Sequence, residues 1–551
     1  MQGKCYIDIT DRGFSHHLLT IFNLPTVFSP ENIPAERYYS YLYKTINENK
    51  RSSMTETEQN SSYRDIAKGT AIFGGTQLVS MLANIAKGKL SAIIIGAYGL
   101  GISAHLTSTF TPIQQIFTCG LNISGIQAIS SIEDERERAE YVKCFRRLIQ
   151  LLAAMATLST AISAWWLSRL TFGTTEHWPW FVIIAVAVFF FMKASGETTI
   201  LQGYRHIKSL ATCNMTAPLS GLVISIPMYW LWGVKGIAPS IAALALLSWA
   251  VAKHFTRRLN IEDVNQPWRE TLKRGKKMLT LGASIMASTA AGSLSTYAIN
   301  TSISSIGTET DVGFYQSSMS ITLQCTAMVF AAMATDYFPH LSSIVDNRHK
   351  AKELITKEGE ITMLIIAPII LMLITLSPLA VRVLLTKEFD ATIFLLRAMS
   401  VCLLARALCF PLDYICLAKG DNKFFLIVEG GWGNVKNVAL VICGFLSGGI
   451  NGIGIALLIG AAIDITVSIG LNQWKYKISY GTAYYKMASL LATAVFACFA
   501  SSFIASDIVS YILMGTITIT TSIFAYRQMD RRIDIKNLVK ARIKRKYNSK
   551  G

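Results

Sequence analysis

Charge is what this sequence has least of. Only 16% of its 551 residues are Asp, Glu, Lys or Arg, against about 25% in ordinary soluble domains. A soluble chain of this length would wrap several cores in charged, amphipathic surface, and that surface is missing. Metal and redox signatures are missing too. The ten cysteines are scattered without a Cys-x-x-Cys pair. Cys402, Cys409 and Cys416 recur every seven residues on one helix face, which reads as small apolar packing. No Walker A loop or His-Glu-x-x-His motif occurs, which excludes the commonest ATP-driven and metallohydrolase designs. The sequence calls for no cofactor and no metal.

What is present is apolar length. The chain is 52% hydrophobic with a mean hydropathy of +0.39, and apolar runs of membrane-spanning length recur along it. The fold class this implies is an all-α polytopic membrane protein of about fourteen spans. The net charge of +18 does not point to nucleic acid. The basic residues sit in short loops after alternate spans and in the C-terminal tail, as the positive-inside rule requires. That pattern places both termini in the cytoplasm and leaves only short loops outside, too short for an outer catalytic domain. The chain is therefore read as a transporter and not an enzyme.

Residues 1–65 are polar and stand outside this pattern. They lack the basic start and long apolar core of a secretory signal. Met54 opens a stretch that reads like a natural start, so 1–53 are expected to derive from a start codon assigned too far upstream. The remainder divides into a six-helix bundle at 66–254, a basic cytoplasmic linker at 255–277, a second six-helix bundle at 278–474, two further helices at 487–526 and a basic tail at 527–551.

The two bundles echo each other at an offset of 211 to 217 residues. Ile95-Gly96 matches Ile306-Gly307, and Ser130-Ser131-Ile132 matches Ser342-Ser343-Ile344. Gly203 matches Gly420, and Gly233-Val-Lys-Gly-Ile-Ala matches Gly449-Ile-Asn-Gly-Ile-Gly. An even number of helices per repeat keeps both in the same orientation, so an axis near the membrane normal relates them, with a cavity between.

Ionisable side chains at membrane depth mark pairs or wet cavities. Lys87 and Lys89 lie in the first span, His105 in the second, and Lys193 and Glu197 in the fourth. Asp336 lies in the eighth, Arg397, Arg406 and Asp413 in the tenth, Glu429 and Lys436 in the eleventh, and Asp464 in the twelfth. Lys193 and Glu197 are four apart and suited to pair with each other. Arg406 with Asp413, and Glu429 with Lys436, share helix faces and read either as pairs or as cavity lining. Lys87 and Lys89 read as cavity cations, with snorkelling to the interface as the alternative. A cationic cavity suits a phosphorylated headgroup, and the amides of Gln114, Gln115, Asn122 and Gln127 suit sugar hydroxyls. The turn Gly96-Ala97-Tyr98-Gly99-Leu100-Gly101 between the first two spans reads as an outer gate, with Gly96, Gly99 and Gly101 as its flexible points. Asp336, Asp413, Glu429 and Asp464 are the candidates for ion coupling.

Three successive segments, GGTQLVSMLANIAKGKLSAIIIGAYGLG, ISAHLTSTFTPIQQIF and CGLNISGIQAISS, resemble the start of bacterial polysaccharide flippases. These are the O-antigen translocases and the lipid III flippases of enterobacterial common antigen, within the multidrug/oligosaccharidyl-lipid/polysaccharide exporter superfamily. The resemblance is best over 66–210 and extends more loosely to about 475. It implies translocation of an undecaprenyl-diphosphate-linked oligosaccharide across the bacterial cytoplasmic membrane. It also implies a lipid-linked glycan and the bilayer as partners, with a polysaccharide polymerase or other glycan assembly proteins nearby. Carry-over of residues is limited to Lys87, Lys89 and the glycine turn. The competing reading is a cation- or proton-coupled multidrug exporter of the same superfamily. That reading favours buried acids in the first bundle, where Glu197 is the main one.

Overall fold

The computed structural model describes residues 56–262, 264 and 267–533. The expected upstream segment 1–53 and the tail beyond Ile533 lie outside the described residues. The chain divides into a unit of residues 1–72 and one of 73–551. In the first, residues 56–72 are helical; everything that follows concerns the second.

Among the described residues the architecture is helical throughout, with no strand. The helices are α1 (Glu56–Thr118), α2 (Leu121–Ser131), α3 (Glu135–Ile162), α4 (Ala164–Phe172), α5 (Trp178–Gly203), α6 (Ile207–Ser220), α7 (Ile226–Trp232) and α8 (Ile237–Arg257). They continue as α9 (Trp268–Ile306), α10 (Glu309–Ile344), α11 (Arg348–Thr375), α12 (Ser377–Leu384), α13 (Ile393–Ala418), α14 (Asn422–Phe425), α15 (Asn434–Tyr476), α16 (Thr482–Ser501) and α17 (Asp507–Ile533). Large apolar side chains face outward, among them Val223, Trp230, Leu446 and Ile508. In water such exposure would be costly; in a bilayer it is what a spanning helix presents.

Eight helical stretches among the described residues are long and apolar enough to cross a membrane, or up to nine when the bent pair α3–α4 is taken as one span. Three of the eight run to 44, 51 and 54 residues, about twice what one crossing needs. Each is broken by a glycine at positive φ: Gly96, Gly233 and Gly449.

The repeat is built into the backbone. Gly233 (φ 55, ψ −135) and Gly449 (φ 59, ψ −141) adopt nearly the same left-handed conformation, which a side chain would strain. The helix ends before them match as well. His206 N–H donates to the Leu201 carbonyl, and Asp421 N–H to the Cys416 carbonyl, both at 2.9 Å. A π-helical segment follows in each half, Gly221–Ser225 and Leu426–Gly433. Such segments widen a helix and commonly mark functional positions.

In the first half α5 packs against α2, α3 and α8; in the second, α13 packs against α10, α11 and α15. Helix α9 touches α2, α3 and α4 as well as α15, so it bridges the halves. The last two helices, α16 and α17, pack on α11. Thr375 meets Thr518 there at 2.9 Å, and Arg532 donates to Glu360 at 2.7 Å.

Candidate functional site

A cavity of about 400 Å³ lies between the two halves. Helix α1 contributes Asn84, Gly88, Ser103, Thr107 and Thr111 from both sides of its break; α9 contributes Ser293, Thr296 and Asn300. Helix α10 contributes Gln316, Ser317, Ser320 and Gln324, and the end of α12 closes one side with Leu384 and Leu385. Gln316 donates to Asn300 at 2.7 Å, and Gln324 to Ser320 at 2.8 Å. None of the described lining residues is charged.

The two lysines of the first span flank this cavity without lining it. Gly88 faces the cavity, so its neighbours are turned about 100° to either side. Lys89 Nζ donates to the backbone carbonyls of Arg382 (2.8 Å) and Leu385. It thereby caps the C-terminal carbonyls of α12 with a cation, a favourable match to the helix dipole. Lys87 turns the other way, toward Gly221 at the π-segment of the first half. Among the described residues it has no hydrogen-bond or ion-pair partner.

The glycine turn is sharper than the sequence suggests. Only Gly96 leaves helical geometry (φ 64, ψ −169). Gly101 serves a different purpose. A Cβ there would lie 1.8 Å from the Glu309 carbonyl oxygen, and a Cβ on Gly313 would lie 2.0 Å from the Ala97 carbonyl oxygen. The two contacts are the same contact seen from each repeat, an isologous crossing about a pseudo-two-fold axis. It is possible only between glycines. Around it lie further contacts between the halves. Ala97 N–H donates to Glu388 Oε2 at 3.2 Å. His105 Nε2 lies 3.1 Å from Glu309 Oε2, with the His105 side chain wholly buried and Glu309 15% exposed. Glu309 Oε1 accepts from Ser304 at 2.5 Å. The His105–Glu309 contact is within ion-pair reach but off the line of a hydrogen bond, and Nδ1 of His105 has no partner.

A second cavity, about 790 Å³, opens within the second half and shares Thr296 and Gln316 with the first. Here the expected ionisable residues gather: Arg406, Asp413, Lys436 and Asp464 all line it. Lys436 pairs with Asp464, Asp413 Oδ1 accepts from Ser468 at 2.7 Å, and the Arg406 guanidinium lies 5.1 Å over the Phe330 ring. The described carboxylate partner of Lys436 is thus Asp464, twenty-eight residues on and beyond the Gly449 break in α15. The side chains of Glu429 and Asp336 lie outside the described residues. Cys402, Cys409 and Cys416 line the wall of this cavity.

The other candidates are structural ties. Arg397 Nε donates to Ser377 at 2.8 Å and to the Ile374 carbonyl at 3.3 Å, fastening α13 to the end of α11. Asn122 bonds Ser195 at 2.7 Å within the first half. Gln115 reaches across the halves to accept from Ser293 at 2.6 Å; Gln114 faces neither cavity. Glu197 pairs with Arg146 (2.8 Å) and Lys253 (3.1 Å) and accepts from Thr256 (2.7 Å), whereas Lys193 sits 4.6 Å over the Trp249 ring. The local spacing of Lys193 and Glu197 loses to tertiary partners with more charge and better donors. Sequence reasoning missed Glu309 and Glu388, which stand in short turns at helix starts, and the hydroxyls and amides of α9 and α10. The visible signal for the latter is the polar series Ser293, Thr296, Asn300 and Gln316, Ser320, Gln324 at helical spacing.

Known proteins share this fold. The model of a family described as "Polysaccharide biosynthesis protein" matches residues 99–394. The lipid III flippase of Escherichia coli K12 is 20% identical over 374 residues, 66% of this chain and 88% of that one. Among solved structures, the lipid II flippase MurJ in an inward closed conformation superposes with a TM-score of 0.67 over 84% of this chain and 99% of its own, at 14% identity. An inward-facing MATE-family multidrug transporter of the MOP superfamily gives 0.58 over 74% and 99%, at 16% identity. At these identities the structures establish the fold. The family match takes in more than half of the chain, including both sides of the Gly101–Gly313 crossing, and this multi-pass membrane protein belongs to the polysaccharide biosynthesis protein family.

Proposed function

We propose that the protein flips an undecaprenyl-diphosphate-linked oligosaccharide, an O-antigen unit or a related surface polysaccharide unit, across the bacterial inner membrane by alternating access. The observation that carries this reading is the cavity between the halves, where Ser, Thr, Asn and Gln share the wall with Met81, Ile85, Leu100, Ile321, Leu384 and Leu385. The polar side chains each offer donors and acceptors, which is what a sugar demands. Lys87, the unpaired ammonium beside Gly88, is the point charge for the diphosphate, while Lys89 holds α12 in place. The glycine crossing with His105, Glu309 and Glu388 is the outer gate, and rocking of one half against the other opens it. Both termini face the cytoplasm in this reading. Taking each broken stretch as two crossings and the bent pair as one gives twelve, and the long helices α9 and α10 bring the total to about fourteen.

The multidrug-exporter alternative shares the fold. It asks for a carboxylate to meet a cationic drug. The described lining of the cavity between the halves includes none, and the carboxylates of the adjoining cavity are engaged, Asp464 with Lys436 and Asp413 with Ser468. Deleting the gene in a strain without a redundant flippase decides the matter. The expected result is loss of surface glycan with accumulation of its lipid-linked precursor. Intact surface glycan and no precursor build-up refute the reading.

A further inference from the structure

We infer that the cavity between the halves selects units built of uncharged sugars and rejects units that place a carboxylate there. The inference rests on the flippase reading and names the class of glycan it admits. Every nitrogen- or oxygen-bearing side chain described in the wall is a hydroxyl or a carboxamide. A sugar hydroxyl both donates and accepts, and so do these groups, so each contact can be matched. A uronic acid presents an acceptor-only anion. Buried without a cation, that anion loses its hydration and gains no charged partner.

The neighbouring charges do not repair this. Lys87 and Lys89 turn away on either side of Gly88, and Lys89 is already spent on two carbonyls. His105 does not line the cavity and faces Glu309. Arg406 and Lys436 belong to the adjoining cavity, where Arg406 lies over the Phe330 ring and Lys436 is paired with Asp464. Two wall residues also carry unmatched groups, the Asn300 Nδ2 donor and the Gln324 Oε1 acceptor. Both atoms are buried, and both belong to residues of the wall. One donor and one acceptor without partners fit a neutral polyol and give nothing to an anion in particular. The volume lies in the range of about 300–1,000 Å³ usual for small-ligand sites.

The test uses the full chain in nanodiscs and titrates three lipids by native mass spectrometry. One is undecaprenyl diphosphate carrying a trisaccharide of neutral hexoses. The second has one hexose replaced by its uronic acid, and the third is undecaprenyl diphosphate alone. The neutral unit is expected to bind at least about tenfold tighter than the acidic one. Equal or tighter binding of the acidic unit overturns the inference and leaves the flippase reading standing. Binding of neither glycan above the bare carrier overturns the flippase reading itself. Gln316→Arg supplies the missing cation and should shift the preference toward the acidic unit by about tenfold. Ser320→Lys repeats the test at a second wall position if the first variant does not fold. An unchanged preference in the folded variant also overturns the inference. Gln324→Leu should weaken the neutral unit by about tenfold.

Discussion

Replacing Glu309 by Gln removes one charge and little else. The amide keeps the volume of the side chain and can still accept from Ser304, which now lies 2.5 Å from Oε1. What it loses is the attraction to His105, whose ring is wholly buried 3.1 Å away. Off the hydrogen-bond line, a contact of this kind is worth about 1 kcal/mol. In an open state water replaces the partner, so the loss falls on the closed state alone. The closed-to-open ratio should fall roughly fivefold. A single cysteine at Ser103, in the cavity wall, reads this out once the native cysteines are replaced by serine. A membrane-impermeant maleimide added on the gate side labels it in proportion to the open fraction. Labelling should accelerate in Glu309→Gln and in His105→Gln. The double variant should gain little over either single one, because the interaction is already gone. Glu353→Gln, which breaks an exposed pair with Lys357 at 2.7 Å, should leave the rate unchanged. Equal rates in wild type and both gate variants would refute the role of this contact in holding the halves together.

The remaining expectations concern packing and charge elsewhere. Gly101→Ala or Gly313→Ala drives a methyl into a carbonyl oxygen at 1.8 or 2.0 Å, so each should abolish complementation and lower thermal stability, at a cost of about 1–3 kcal/mol. Gly470→Ala, with nothing within 4 Å, should be silent in the same melting assay. Lys89→Met uncaps α12 and should lower the melting temperature more than Lys87→Met, while Lys87→Met should cost more transport; the reverse ranking breaks the division of labour drawn here. At the Asp421 loop, a hydrogen bond from Lys475 holds the carboxyl below its usual range. Its contribution is therefore present at neutral pH and is lost as pH falls below about 4 through the lowered value. The stability gap between wild type and Asp421→Asn should be constant near neutrality and close in acid, and a gap that widens in acid would contradict the assignment.

Much of the fold was legible because membrane helices are written in composition. Apolar length, charged loops and the repeat offset each survive without knowing a single contact. The glycine junctions were legible for the same reason, since Gly233 and Gly449 stand where the backbone needs positive φ. The site was legible only in part. The polar residues singled out in the second span, His105, Gln114, Gln115 and Asn122, do not line the cavity; Asn122 turns to Ser195 and Gln115 to Ser293. Lys87 and Lys89 were singled out by charge, but one step along a helix rotates a side chain by about 100°, and apolar sequence on every face leaves the rotation undetermined. Local spacing paired Lys193 with Glu197; the fold offered Glu197 two cations from other helices. Long-range partners of this kind leave no trace in one sequence.

The repeat also makes one prediction that neither half makes alone. The alignment that matches the helix ends at His206 and Asp421 brings Lys436 onto Gly221. In the second half the fifth span carries its own ammonium, paired with Asp464. In the first half that position is glycine, and Lys87 reaches over from α1 to fill the space: a Cβ on Gly221 would meet its Cδ at 3.1 Å and its Nζ at 3.3 Å. Each half thus holds one ammonium at a corresponding place, delivered from different helices. If the charge there matters and its origin does not, Lys87→Ala should abolish flipping, and Lys87→Ala/Gly221→Lys should restore part of it. Gly221→Lys alone should fail, because two ammonium groups then compete for one space and repel each other. Helix propensity favours the added lysine by up to about 1 kcal/mol over glycine, so loss of fold is not the expected reason for a negative result, and membrane levels check that directly. Flipping that stays absent in a normally accumulating double variant would mean that Lys87 acts through its position on α1, moving with that helix, and not through the charge it places beside α6.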